Sequence, residues 1–367
     1  MNVLILSKHL NAGGITRYIM TLTKGLKQKG HNVFVATSGG DLVDDLILCG
    51  AKHIFCNINT KSELSPKVYF ALGKLAKLIR KENIDVIHTQ TRVTQVMGEL
   101  LSKLTKKPHI STCHGFFKKR LSRKLFPCWG RAVVAISEAV KTHLIHDFNV
   151  PEEKVFLIHH GLDLDEFAPI DEAVRQAKRQ ELHLGQGPVI GNIARLVDVK
   201  GHDTLISAMT QVVQKIPQAR LLIVGQGPKE NVLRKMVIHL KLENHVYFYP
   251  VVNKTADILP VFDIFVMPST QEGFGLSAME AQAVGLPVIA SDVGGLPTLI
   301  EHGKTGFLVP PGDANALAAM LFDLVADMAK TREVGLAARK NVENKFSQRA
   351  MVEHTCQIYE NLIYGRK

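Results

Sequence analysis

The sequence contains few cysteines, a single tryptophan and no long apolar run. Because no stretch approaches the roughly 18 apolar residues of a membrane-spanning helix, we expect no transmembrane segment. The five cysteines include no Cys-x-x-Cys pair, which argues against a disulfide framework and predicts reduced, mostly buried thiols. The N-terminus has no basic leader ahead of its first apolar run, so we expect a cytoplasmic protein without a signal peptide.

Positive charge is present, but it is confined to one part of the chain. Residues 1–165 contain 24 Lys and Arg against 13 Asp and Glu, giving +11, whereas residues 166–367 contain 21 of each, giving 0. The densest part is residues 114–129, where cations alternate with aromatic and aliphatic side chains. These cations are Lys118, Lys119, Arg120, Arg123 and Lys124. The mixture suits an anionic membrane surface, an acidic acceptor or nucleic acid, and the plainer alternative is a solvated basic face.

Apolar runs of four to seven residues alternate with helix-length amphipathic segments, which predicts an α/β protein with parallel sheets. Seven strands are expected in the first half, at 3–7, 33–37, 53–57, 86–89, 110–113, 132–136 and 155–159. Six are expected in the second, at 189–193, 221–224, 246–249, 264–267, 287–291 and 306–309. The series restarts near residue 165, where Gly, acids and Pro break the rhythm. We predict two Rossmann-like domains, 1–165 and 166–347, with a ligand cleft between them at the carboxyl ends of the strands.

Two glycines, Gly13 and Gly14, open a helix directly after the first strand. A turn of this kind aims backbone N–H groups at an anion, although glycine also simply permits a tight turn. Neither this pair nor Gly225-Gln-Gly227 completes a Gly-x-Gly-x-x-Gly dinucleotide fingerprint, so a nicotinamide enzyme is disfavoured.

Two cations, Arg195 and Lys200, follow the first strand of the second half. Fixed at a strand end, they suit a diphosphate, because arginine offers a planar fork and lysine a point charge. The plainer alternative is a surface ion pair with Asp198.

Two glutamates, Glu272 and Glu280, stand eight residues apart across a predicted loop-to-helix junction. Even in one continuous helix they would lie roughly 80° apart around the axis and about 12 Å apart along it, so they are no proton-sharing pair. The amides of Gly275 and Leu276, at the predicted helix N-terminus, suit phosphate oxygens.

The segment Glu272-Gly-Phe-Gly-Leu-Ser-Ala-Met-Glu280 resembles the Glu-x7-Glu motif of retaining glycosyltransferases of the GT-B fold, specifically glycosyltransferase family 4. Further segments with the same resemblance are the continuation to Asp313, Arg195 with Lys200-Gly201, Ile136-Ser-Glu-Ala-Val, Ile158-His-His-Gly-Leu-Asp163 and Gly13-Gly14. The resemblance covers nearly the whole chain, and residues 264–313 are its most specific part. The family commonly has Asn where His160 precedes Gly161, which leaves the geometry of that turn open.

The resemblance implies a role for each candidate residue. Glu280 is expected to accept hydrogen bonds from the ribose of a nucleotide-sugar, and Glu272 to hold hydroxyls of the transferred sugar. Arg195 and Lys200 are expected to bind the diphosphate and stabilise the leaving group. The remaining expected donor contacts are the Gly275 and Leu276 amides, Phe274, Gly13 and Gly14, with His114 at the sugar. The plainer alternatives are a surface position for Glu280, helix capping by Glu272 and an ordinary buried role for His114.

The resemblance also implies retaining, front-face transfer, in which the leaving phosphate helps to deprotonate the acceptor. The N-terminal domain is expected to bind the acceptor, and a last helix at about 348–367 to return to it. We expect a UDP-sugar donor, an envelope glycan or glycolipid acceptor, as in polysaccharide or lipopolysaccharide biosynthesis, and a peripheral position on the inner face of the cytoplasmic membrane. No metal is expected, because Asp163-Leu-Asp165 falls on the linker, and no cofactor and no nucleic-acid partner are expected either. The alternatives are a nucleotide-sugar-binding protein without transfer activity and a GT-B sugar epimerase.

Overall fold

The computed structural model describes residues 1–60, 62–63 and 65–365. The chain divides into two compact units, which are Met1–Leu162 with Ser347–Lys367, and Asp163–Phe346. Each unit is built on one parallel sheet, so the predicted α/β class and the thirteen predicted strands are confirmed. In the part of the chain that is described, no helix has the length and apolarity needed to cross a bilayer.

The sheet of the first unit has the order β3-β2-β1-β4-β5-β6-β7, with every neighbouring pair parallel. Its strands are β1 (Asn2–Leu6), β2 (Asn32–Thr37), β3 (Lys52–Phe55), β4 (Val86–Thr89), β5 (His109–Cys113), β6 (Ala132–Ala135) and β7 (Val155–Leu157). The helices before residue 162 are α1 (Gly14–Gln28), α2 (Val43–Leu48), α3 (Pro66–Lys81), α4 (Arg92–Thr105), α5 (Leu121–Leu125) and α6 (Glu138–Phe148).

Helices cover both faces of this sheet, which explains why its strands are apolar throughout rather than alternating. In β1, Val3 and Ile5 join a core cluster with α1, whereas Leu4 and Leu6 join a second cluster with α3 and α4. Successive side chains of a strand point to opposite faces, so a run of four buried residues supplies both cores.

The sheet of the second unit has the order β10-β9-β8-β11-β12-β13, again entirely parallel. Its strands are β8 (Val189–Ile193), β9 (Arg220–Val224), β10 (Val246–Tyr249), β11 (Ile264–Met267), β12 (Val288–Ser291) and β13 (Phe307–Val309). Its helices are α7 (Glu172–Glu181), α8 (His202–Lys215), α9 (Glu230–His239), α10 (Leu276–Ala283), α11 (Leu296–Leu299), α12 (Ala314–Ala326) and α13 (Met328–Lys345). One core cluster joins β8, β9 and β11 to α8 and α12.

The last helix, α14 (Gln348–Tyr364), belongs to the first unit. Its Met351, Val352 and Tyr359 enter the same core cluster as α1. The Tyr359 hydroxyl lies 2.6 Å from Nδ1 of His88 in β4. The helix therefore completes a core that the first 162 residues leave open; residues 366 and 367, the end of the helix expected at 348–367, lie outside the described residues.

Candidate functional site

The candidate donor residues follow two neighbouring strands in the middle of the second sheet. Strand order reverses between β8, the first strand of this unit, and β11, the fourth. Ligands of open parallel α/β sheets bind outside the carboxyl ends of the strands at such a reversal. Arg195 and Lys200 follow β8, whereas Glu272 and α10 follow β11, so the sheet brings the two motifs to one place.

Lys200 and Glu272 form an ion pair across this reversal, with side chains 22% and 13% exposed. A backbone hydrogen bond also joins the two loops that carry these residues, since the amide of Thr270 donates to the carbonyl of Val199 at 2.9 Å. Gly201 has a φ of +64°, and a Cβ added there would lie 1.9 Å from the carbonyl oxygen of Pro268. Only glycine permits this close approach of the loops.

Glu272 is held in the loop before α10 and does not cap that helix. Its Oε1 accepts from the amide of Gly273 at 3.1 Å, and the Ser269 hydroxyl lies 3.5 Å from Oε2. The N-cap of α10 is Gly275, and no side chain caps the helix. The carboxylate of Glu272 therefore lies in the loop between β11 and α10, beside the Lys200 ammonium.

The N-terminus of α10 begins in a conformation that requires glycine. Gly275 has a φ of +100°, and a Cβ there would lie 2.6 Å from Cδ2 of Leu296. The uncapped helix end directs backbone N–H groups outward, which favours an anion. The ring of Phe274 is buried and packs edge-on against Phe346, with ring centroids 5.7 Å apart, so it supports this turn from the inside.

Glu280 lies in the middle of α10 and is only 2% exposed. Its Oε2 accepts a hydrogen bond from the Thr255 hydroxyl at 2.8 Å. A surface position for Glu280 is thereby excluded, and a carboxylate buried to this degree has to be satisfied by hydrogen-bond donors.

Arg195 is exposed and makes no ion pair within the described part of the chain. The sequence left open a surface ion pair with Asp198. Asp198 instead pairs with Lys229 at 2.5 Å, and Lys200 pairs with Glu272. The Arg195 guanidinium is therefore available to an incoming ligand.

Candidate residues of the first unit also stand at a strand reversal, between β1 and β4. Gly13 and Gly14 open α1 after β1, and both are exposed. His114 follows the next strand, β5, and its Nε2 lies 2.8 Å from Oε1 of Gln90. The ring of Tyr18, from α1, packs edge-on against His114 with ring centroids 4.9 Å apart.

His114 is a neutral group in the folded protein. Burial lowers its pKa from the ordinary value of 6.5 to about 3. Since the Gln90 carbonyl oxygen is an acceptor, Nε2 of His114 carries the proton and donates to it. Nδ1 of His114 can therefore only accept a hydrogen bond from a ligand, and the ring carries no positive charge near neutral pH.

His88, His114 and His160 of the first unit should make the protein sensitive to acid. Burial lowers the pKa of His88 and His114 to about 3, and that of His160 well below 6.5. In the unfolded chain these histidines take up protons near pH 6.5, whereas in the folded protein they stay neutral to lower pH. The folded protein therefore has its full stability above pH 6.5 and loses it as the pH falls towards 3. Between these limits His88 and His114 should each lower the free energy of unfolding by roughly 1 kcal/mol per pH unit, and protonation of His160 acts in the same direction. The melting temperature measured from pH 7 to pH 5 should fall steeply.

A His114→Phe variant removes one of these titrating groups and keeps an aromatic ring beside Tyr18. Its melting temperature should fall less steeply with decreasing pH than that of the natural protein. An unchanged slope would show that His114 does not remain neutral in the folded state.

The basic segment after His114 differs in one respect from the sequence prediction. Lys118, Lys119, Arg120 and Lys124 are exposed, whereas Arg123 is only 7% exposed. The Arg123 guanidinium lies 4.1 Å from the ring centroid of Phe117, 5.1 Å from that of Trp129 and 5.7 Å from that of Phe148. Arg123 thus holds the segment to the unit by cation–π contacts and does not join the other four cations at the surface.

The Asp163-Leu-Asp165 segment forms a local turn. The Asp163 side chain accepts from the amide of Asp165 at 3.3 Å and caps the 3-10 turn Leu164–Glu166. Among the described residues, no cluster of three His, Cys, Asp or Glu side chains has the geometry to hold a metal ion.

Two polar residues beside candidate residues were not predicted from the sequence, namely Thr255 at Glu280 in the second unit and Gln90 at His114 in the first. Each contacts a candidate residue 24 or 25 positions away in the chain. Neither lies in a motif, so no signal in a single sequence would have identified it.

Comparisons with known proteins show what the chain is similar to. A family model described as glycosyl transferases group 1 matches residues 174–341, and one described as glycosyltransferase family 4 matches residues 12–166. The chain is 26% identical over 358 residues to N-acetyl-alpha-D-glucosaminyl L-malate synthase of Bacillus anthracis, covering 94% of this chain and 93% of that protein. It is 28% identical over 309 residues to the capsular polysaccharide biosynthesis glycosyltransferase CapM of Staphylococcus aureus, covering 80% and 81%.

The fold is similar to that of a solved structure, Anabaena Alr3699/HepE in complex with UDP and glucose. The TM-score is 0.86 at 23% identity, over 97% of this chain and 98% of that one. This likeness concerns the fold, with its two parallel-sheet units.

Proposed function

The chain belongs to glycosyltransferase family 4 and has the GT-B fold, as predicted, and we propose that it transfers a sugar from a nucleotide-sugar to a hydroxyl group with retention of configuration. The observation that carries the proposal is the arrangement around the strand reversal of the second unit. The Lys200–Glu272 ion pair, the uncapped N-terminus of α10 and the buried carboxyl group of Glu280 all lie in this part of the unit.

Each part of this arrangement matches one part of a nucleotide-sugar. Lys200, Arg195 and the Gly275 and Leu276 amides would bind the diphosphate, Glu280 the ribose hydroxyls and Glu272 hydroxyls of the transferred sugar. As the glycosidic bond breaks, negative charge develops on the leaving diphosphate. Fixed cations and amides that stabilise this charge account for most of the catalysis in such a site, and no metal is required.

The Lys200–Glu272 ion pair would be exchanged when the donor binds. The diphosphate provides a stronger anionic partner for Lys200, and Glu272 is released to accept hydrogen bonds from the sugar. Retention then follows from attack on the face that the diphosphate leaves, with a phosphate oxygen taking the proton of the acceptor hydroxyl.

The acceptor would be an envelope glycan or a lipid-linked sugar bound by the first unit, which has Gly14 at its strand reversal. The name of the Staphylococcus aureus relative refers to capsular polysaccharide biosynthesis, which supports this class of acceptor. UDP is the first nucleotide to test, since the similarly folded Anabaena protein was crystallised with it.

A thermal-shift screen of UDP-, GDP- and ADP-sugars tests the proposal, because ligand binding to the folded state raises the melting temperature. We expect one nucleotide series to raise it, and Glu280→Ala to remove the shift. Glu243→Ala, which changes an exposed glutamate of the same unit, is the matched control and should keep the shift. The proposal fails if no nucleotide or nucleotide-sugar shifts the natural protein.

The basic segment would bind the protein to the inner face of an anionic membrane. Around the exposed cations, α5 and the residue after it expose the apolar side chains of Leu121, Leu125 and Phe126. Exposed apolar side chains next to lysines suit the boundary between lipid headgroups and acyl chains.

Sedimentation with phosphatidylglycerol-containing vesicles tests the membrane interaction. Leu125→Ser with Phe126→Ser should weaken binding by about tenfold or more, since each buried apolar side chain contributes roughly 1.5–3 kcal/mol. Ile238→Ser, at an exposed apolar residue of α9, should leave binding unchanged. Equal binding to neutral phosphatidylcholine vesicles, or no loss in the double variant, would contradict the membrane role of this segment.

A further inference from the structure

We propose that Thr255 is a positioning residue for donor binding, which acts by holding the Glu280 carboxylate in the orientation that receives the ribose. The inference rests on the proposed function, because it takes Glu280 to be the ribose-binding group. Thr255 itself would touch no part of the donor.

The place of Thr255 in the fold shows that this contact joins separate parts of the site. Thr255 opens the 3-10 turn Thr255–Asp257 on the segment that leaves β10, an edge strand of the second sheet. Glu280 lies in α10, which follows β11. Because β9 and β8 lie between β10 and β11, the bond ties the edge of the sheet to the strand reversal at its centre.

The Thr255 hydroxyl is committed to this contact rather than to local structure. A threonine at the start of a helical turn ordinarily caps the backbone. Here the N-cap position is Lys254, no side chain caps the turn, and the Thr255 hydroxyl donates to Glu280 Oε2 at 2.8 Å. A capping role therefore does not account for the hydroxyl.

Burial makes the bond effective. Thr255 is 4% exposed and Glu280 is 2% exposed, so water competes little for either group. Low polarity in the surroundings strengthens a hydrogen bond, and breaking one between buried groups is correspondingly costly.

The consequence for the ligand is preorganisation. A glutamate side chain has three rotatable bonds, and fixing them in advance removes part of the cost of binding. Without the Thr255 hydroxyl, the carboxylate would lose one of the groups that orient it before the ribose binds. The loss should therefore appear in donor affinity, whereas kcat at saturating donor should change little, because the ribose is remote from the bond that breaks.

The test compares Thr255→Val, which keeps the shape and removes the hydroxyl, with Thr255→Ser, which keeps the hydroxyl. Affinities are measured by calorimetric titration with UDP, GDP and ADP, followed by the 2′,3′-dideoxy form of the one that binds most tightly. Thr255→Val should weaken binding of the ribonucleotide by about tenfold, the effect of losing one buried hydrogen bond. Thr255→Ser should stay within about twofold of the natural protein.

The dideoxynucleotide distinguishes a positioning role from a general structural one. It lacks the hydroxyls that Glu280 would bind, so Thr255→Val should bind it as well as the natural protein does. Equal weakening of both nucleotides by Thr255→Val, or the same loss in Thr255→Ser, would show that Thr255 only supports the fold.

Failure of the inference and failure of the proposed function have different outcomes. If Glu280→Ala abolishes ribonucleotide binding while Thr255→Val binds normally, the donor site stands and the role of Thr255 is refuted. If no nucleotide binds the natural protein, or Glu280→Ala binds as well as the natural protein, the proposed donor site is refuted and the inference with it.

Discussion

Replacing Lys200 with methionine should lower kcat for sugar transfer by about a thousandfold, the scale observed when a preorganised charge-stabilising group is removed from an active site. Methionine keeps most of the length of the lysine side chain and removes the ammonium that would stabilise the leaving diphosphate. The fold should survive, because Lys200 and Glu272 form a partly buried pair that does not belong to the hydrophobic core of the second unit. Transfer rates at saturating donor and acceptor measure the effect.

Lys229→Met is the matched control for this change. Lys229 pairs with Asp198, two residues before Lys200, so its substitution removes the same charge from the same loop region. We expect it to change kcat by less than about threefold, because a surface ion pair contributes little. A comparable loss in both variants would show that net charge, and not the position of Lys200, governs the rate.

Glu272→Gln separates the two partners of the ion pair. With no carboxylate competing for Lys200, a nucleoside diphosphate without a sugar should bind more tightly to this variant than to the natural protein. Sugar transfer should nevertheless fall, because the amide is a weaker acceptor for the sugar hydroxyls. Weaker binding of the diphosphate alone would contradict the exchange of partners.

Deleting residues 347–367 should leave the first unit unable to fold. The α14 side chains of Met351, Val352, Cys356, Ile358 and Tyr359 are buried in the core that contains α1. At roughly 1.5–3 kcal/mol for each buried side chain, their loss removes about 10 kcal/mol, which is comparable with the entire stability of a domain. His88 would also lose its contact with the Tyr359 hydroxyl.

Circular dichroism and soluble yield of the shortened chain measure this effect. A control chain lacking only residues 365–367 keeps all of α14 and should melt as the full chain does. A soluble chain without residues 347–367 that retains the full helical signal and melting temperature would contradict the structural role of α14.

The strands and the donor motif could be predicted from the sequence because their signals are local. Strands covered on both faces are short, uniformly apolar runs, as in Val3, Leu4, Ile5 and Leu6, and each such run was predicted correctly. The start of α10 at Leu276 could be placed because Gly275 precedes a run of good helix formers.

Contacts between distant residues could not be predicted in this way. The Lys200–Glu272 pair depends on the close approach of Gly201 to Pro268, and the contact of His88 with Tyr359 joins residues 271 positions apart. Arg123 was grouped with the exposed cations because a charge run gives no sign of which member lies among aromatic rings. Arg123 is buried by the nearby rings of Phe117 and Trp129 and by the ring of Phe148, which is 25 residues further along the chain.

Release of nucleoside diphosphate from the bound nucleotide-sugar is the most direct test of sugar transfer from a nucleotide donor. The protein is incubated with the nucleotide-sugar that raises its melting temperature, and the free diphosphate is followed over time by ion-exchange chromatography. We predict slow release with water as the acceptor, strongly reduced in Lys200→Met and retained in Lys229→Met. Stable binding of the donor with no release by the natural protein would contradict this account and would indicate a nucleotide-sugar-binding protein.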